Sequence, residues 1–240
     1  MKLGRIPSGP TPHLPALATY AATEPLPEPP DVVDWTDGLF DWPLLANDRL
    51  GDCTVAGVLH YIQAATRWRD GAPIRATDDE AEDGYRALGW DGIGEGNGAM
   101  LSDVMQRWQS AGFLFSGAYD RITSFARVEP EHLKAALWLA GPIIIGANMP
   151  IAAQTQPVWP APASLDGDNA PGSWGGHCML LVGLDAAGSA RLVTWGGIRL
   201  ASAGWISTYV DEAWAALHPA WVASGRSPSG WLADRVAAVA

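Results

Sequence analysis

Residues 47–63 read NDRLGDCTVAGVLHYIQ and set one of only 2 cysteines in the chain at the start of an apolar helix pattern. Val55, Val58, Leu59, Ile62, Ala65 and Trp68 recur at threes and fours, which predicts a long buried helix beginning near Asp52 and ended by Gly71 and Pro73. Cys53 is then either a small core residue or a nucleophile. A nucleophilic thiol needs a helix N-terminus or an imidazole to lower its pKa, and donors for the oxyanion it generates. The chain offers both. His177 opens the apolar run GGHCMLLVG behind two glycines, so a bulky group can approach its ring, and Asn47 brings a side-chain amide close before the cysteine.

Outward from that helix, segments near 77–88 and 100–111 and the stretch EPEHLKAALWLAG also read as helices, while GWDGIGEGNG reads as loop. From about residue 142 the period changes. PIIIGANM, HCMLLVGLD, ARLVTWG and GWISTYV are short apolar runs between Gly, Pro, Asn and Asp, as strands of a strongly curved sheet would be. Helices followed by strands predict an α+β fold of two packed halves, helical over about 31–125 and strand-rich over about 126–212, with a cleft between them. Residues 1–30 are Pro-rich and lack an apolar period, so they read as an extended arm, and 213–240 reads as a C-terminal extension.

Composition narrows the function. The net charge of −11 comes with no basic cluster, which disfavours nucleic acid and anionic membrane surfaces as partners. No apolar run approaches the ~20 residues of a membrane span, and the first residues do not resemble a secretory signal, so a cytoplasmic location is expected. With 2 cysteines, 5 histidines and no Cys-x-x-Cys or His-Glu-x-x-His spacing, neither a disulfide framework nor a metal is expected, and no cofactor is implied. The 13 tryptophans read as core and subdomain-interface residues, or as a stacking surface along a groove.

Five motifs in order resemble the papain-like cysteine peptidases. Pro30, Asp34 and Trp35 of PDVVDW match the family's domain opening, and Asn47 stands where an amide precedes the nucleophile. EHLKAALWLAGPIIIGANM, GGHCMLLVGLD and VTWGGIRLASAGW are similar to its later segments, so that the resemblance covers roughly 30–210. It implies a two-subdomain fold and hydrolysis of a peptide or amide bond through an acyl-enzyme. Cys53 would be the nucleophile, His177 the general base and acid, Asn47 an oxyanion donor and Trp195 a shield over the histidine. Gly96, Gly98 and Gly176 would lie along bound substrate backbone, so the partner implied is a peptide or protein substrate.

Three departures accompany the resemblance. Val193 stands where the family has the amide that orients the histidine, so the Thr194 hydroxyl, a backbone carbonyl or a water must take that role. Asp52 adds a negative charge next to the thiol. The arm does not resemble the family's helical inhibitory propeptide, and compact, disulfide-free chains of this kind resemble those of bacteria and phages. Two alternatives stand beside the peptidase reading. One is an inactive papain-like binding or structural protein, such as a virion component, with the arm docked on a protein partner. The other is a cell-wall amidase of the CHAP or NlpC type, although 124 residues between Cys53 and His177 exceed the spacing of those domains. An open cleft favours an enzyme, and one plugged by the arm or by the loop 150–175 favours a binding module.

Overall fold

The computed structural model describes residues 1–37 and 41–225. Its axis is the helix Cys53–Asp70, whose side chains are buried from Cys53 through Thr66 and which Gly71 ends in the left-handed conformation. A helix buried on most of its circumference needs neighbours on several sides. One side lies on the strand Gly175–Leu184, and others receive the helices Asp78–Arg86 and Leu101–Ser110. Gly57 permits the contact with the strand, because a Cβ there would sit 3.0 Å from the Cys178 sulfur.

The second half is a sheet of strands in the order Ser124–Arg127, Val210–Leu217, Ile143–Met149, Gly175–Leu184, Ala190–Thr194, Gly197–Ala201 and Val158–Trp159. Its pairings are antiparallel except for the last, which is parallel. Alternation along Gly175–Leu184 divides the core. Cys178, Leu180 and Val182 face the cluster around the central helix, whereas Met179 and Leu181 join a second cluster with Leu133, Leu137 and Trp205. The α+β architecture of a helical half against a curved sheet is therefore the one the sequence predicts.

Trp35 joins the two clusters. Its ring meets Trp221 edge-on at 4.8 Å and Trp68 at 6.3 Å, and its Nε1 donates to the Leu137 carbonyl at 2.7 Å. Trp35→Ala removes all three contacts, so its urea-unfolding free energy is expected to fall by about 3 kcal/mol. A loss smaller than about 1 kcal/mol would mean that the halves are held together elsewhere.

The C-terminal boundary expected at residue 212 falls inside the strand Val210–Leu217, and Trp221 of the following helix Pro219–Ala223 is fully buried against the helical half. The chain is thus core through about residue 223, because a strand buried on both faces carries no polar signal at its midpoint. The remainder of the expected extension, 226–240, lies outside the described residues. The arm is also tied down. Residue 16 bridges to Arg127, and the Arg127 N–H donates to the Pro15 carbonyl, so the arm covers the free edge of the sheet.

Candidate active site

The N-terminus of the central helix meets the start of the strand Gly175–Leu184, and there the Cys178 N–H donates to the Cys53 sulfur at 3.4 Å. This sets the thiol one residue from His177. The two ends of the imidazole differ. Nε2 lies 2.6 Å from the Thr194 Oγ1, and one face of the ring stacks on Trp195 at 4.3 Å and 17°. Nδ1 is buried without a hydrogen-bond partner among the described residues, and it is the nitrogen left for a proton transfer.

Thr194 therefore holds the ring, while Val193, its neighbour on the strand, is buried in the core of the helical half. Asn47 lines a small cavity together with Cys53, Ala56, His60 and Trp195. Its amide donates to the Leu50 carbonyl and to the Asp52 Oδ1, each at 3.1 Å, so an oxyanion would have to displace one of these acceptors. Asp52 is fully buried, and burial pushes its carboxyl up to about 8 against the opposing hydrogen bond from Asn47. Burial thus favours the neutral carboxyl and weakens the charge expected to oppose the thiolate. His60 is a packed side chain that meets the Pro43 carbonyl at 2.9 Å, and burial holds it down to about 4.

No known family model matches the chain, and no curated protein matches it in sequence. Solved structures do match. Xylellain, a cysteine protease from Xylella fastidiosa, superposes with a TM-score of 0.63 over 90% of this chain and 96% of its own, at 19% identity. Procathepsin B S9 from Trypanosoma congolense gives 0.62 over 91% and 86% at 14% identity. The Carica candamarcensis cysteine protease CMS1MS2, in complex with E-64, gives 0.55 over 79% and 99% at 13%. The fold is papain-like.

In this papain-like cleft lies the chain's own N-terminus. The Lys2 N–H donates to the Asn47 carbonyl at 2.9 Å, and the Lys2 carbonyl accepts from the Trp195 Nε1 at 3.1 Å. The Gly4 N–H donates to the Gly176 carbonyl at 3.2 Å, and the Gly4 carbonyl accepts from the Ala99 N–H at 2.8 Å. Arg5–Ile6 continues as a short strand parallel to Ala99–Met100. The walls are glycines because the two backbones touch. A Cβ on Gly98 would lie 2.0 Å from the Gly4 carbonyl oxygen, and one on Gly176 would lie 2.2 Å from that of Arg5. A Cβ on Gly96 would instead stand 2.3 Å from the Tyr85 hydroxyl, so that glycine makes room for the tyrosine.

The arm seals the site. Cys53 is 1% exposed and His177 0%, and burial pushes the thiol up to about 12 and the imidazole down to about 3. In this closed form burial favours the neutral state of each group. Sequence reading finds Cys53, His177, Asn47, Thr194, Trp195, Gly98 and Gly176 around one centre. It misses Gly4 and Arg5, whose only trace is a glycine followed by an arginine in a segment without periodicity.

Proposed function

We propose that the chain is a thiol hydrolase of the peptidase kind that acts after the arm leaves the cleft. The observation that carries this reading is the held imidazole: Thr194 and Trp195 fix one nitrogen and one face and leave Nδ1 without a partner, while the thiol sits on the N–H of the next residue, Cys178. Nδ1 takes the Cys53 proton, the thiolate adds to a carbonyl carbon, and the oxyanion accepts from the Cys53 N–H, one of the unpaired donors of the helix's first turn. The amine leaves with the proton from the imidazolium. Water, deprotonated by the same nitrogen, then cleaves the thioester.

The assay is turnover of a fluorogenic peptide library by the wild type, by Gly4→Ala, which loosens the arm, and by Cys53→Ala. Turnover by Gly4→Ala above the Cys53→Ala baseline supports the reading. One observation favours the alternative of a binding or structural protein: the cleft is closed by the arm, and neither reactive side chain meets solvent. If Gly4→Ala exposes the thiol to alkylation yet turns over no member of the library, that alternative is the better description. In Gly4→Ala at pH 6, Cys53 is expected to alkylate faster than Cys178, which is packed against Gly57 in the core. Equal labelling of both cysteines would show that the variant has opened by unfolding.

A further inference from the structure

The pocket that holds the Arg5 side chain is unlike an ordinary apolar cleft wall. Arg5 is 4% exposed, and its Nη1 meets the Asp211 Oδ1 at 2.7 Å. Its Nε and Nη2 both reach the Glu212 Oε2, at 3.2 and 2.8 Å. The rest of the pocket is built to keep those carboxylates in place. Trp214 Nε1 donates to the Glu212 Oε1 at 2.7 Å, and Asn148 Nδ2 to the Asp211 Oδ2 at 3.0 Å. The floor is Gly146, where a Cβ would stand 2.4 Å from the Arg5 Nε. Only a glycine leaves room for the guanidinium there.

We propose that this pocket is a specificity site for a basic side chain, and that the cleft takes peptides with arginine, or lysine less tightly, next before the residue whose carbonyl is presented to Cys53. Glu212 is 7% exposed, and among the described side chains its Oε2 is paired with Arg5. With the arm gone, an apolar side chain would leave that buried carboxylate unpaired and an acidic one would repel it, whereas a guanidinium restores the ion pair. The position along the peptide follows from the arm's direction. Gly4 lies against the Cys53 thiol with its N–H on the Gly176 carbonyl and its own carbonyl held by the Ala99 N–H, so the arm turns its N–H and not that carbonyl toward the site and occupies the cleft without being a substrate. A chain of opposite direction keeps adjacent residues in the same two places, with a carbonyl at the sulfur and the preceding side chain on Glu212. That position rests on the hydrolase reading; the preference for a cation does not.

Two measurements on the full chain test it. In the series Arg5→Lys, Arg5→Leu and Arg5→Glu, the rate of Cys53 alkylation reports how often the arm leaves. Rates are expected to rise in that order, with Arg5→Leu at least about tenfold above wild type. In Gly4→Ala, peptides differing only by Arg, Leu or Glu at one position are tested for protection of Cys53 from iodoacetamide. The Arg peptide is expected to protect at about tenfold lower concentration than the Leu peptide, and Glu212→Gln to narrow that gap to about threefold. An Arg5→Leu arm that holds as well as wild type, or a Leu peptide that protects as well as Arg, overturns the proposal. Protection by Arg without turnover of the matching amide leaves the pocket standing and removes the hydrolase reading.

Discussion

Gly4→Ala is expected to raise the rate of Cys53 alkylation at neutral pH by about a hundredfold or more. A Cβ on Gly4 would lie 1.8 Å from the Gly51 carbonyl oxygen, and backbone occupies that place, so no side-chain rotation relieves the clash. The arm must lift at Gly4, which breaks its bonds to Gly176 and Ala99 and admits water to the thiol. The substituted residue lies in the arm, and the two core clusters are untouched. The pH profile checks the cause. In the wild type a thiol held near 12 and an imidazole near 3 stay neutral across the physiological range, so labelling should remain slow until strongly alkaline pH. Once the arm has lifted, both groups regain solvent and the thiolate–imidazolium pair forms, so Gly4→Ala should label readily at pH 6. Both shifts arise from burial, which removes the charged form of each group, so exposure lowers the thiol value and raises the imidazole value together. A wild-type protein that labels at pH 6 as fast as Gly4→Ala would show that the arm does not control access.

Thr194→Val is expected to lower kcat of the arm-released enzyme by about ten- to a hundredfold with little change in KM. The two side chains have nearly the same shape, so the loss is the hydrogen bond to the His177 Nε2. Without it the ring can turn about the face of Trp195, and Nδ1 no longer has a fixed bearing on the sulfur. Thr194→Ser should recover most of the rate. The alkaline limb of alkylation against pH should move in the valine variant and return in the serine one, which a general loosening of the fold would not produce. Equal kcat for wild type and Thr194→Val would assign the orienting role to another group.

The difference between Thr194 and Val193 shows where sequence reading stops. The helix beginning at Cys53 is legible because its apolar period is long and Gly71 marks its end, and His177 is legible because two glycines precede an apolar run. The hydroxyl is visible as one of several candidates; choosing it takes the alternation that sends Val193 into the core and leaves Thr194 for the ring, and no run of letters states that face. The arm is less legible still. Apart from the Arg5 side chain and the Trp195 Nε1, it meets the cleft main chain against main chain, and glycines at 4, 98 and 176 leave no hydrophobic pattern to read. The strand Val210–Leu217 hides for the opposite reason, since its buried run looks like the end of a domain until its partners are known.

The second anchor of the arm, where Pro15 and residue 16 join the edge strand at Arg127, changes the kinetics of inhibition. A segment fixed at that point and ending in the cleft is an intramolecular competitor with a local concentration on the order of millimolar, whatever the dilution of the protein. A free peptide making the same contacts would need that concentration to displace half of it. A single backbone cut between Ser8 and Pro15 would instead turn the first residues into an ordinary ligand that departs on dilution. Inhibition of the intact chain should therefore be independent of protein concentration, and inhibition of the nicked chain should fade as it is diluted.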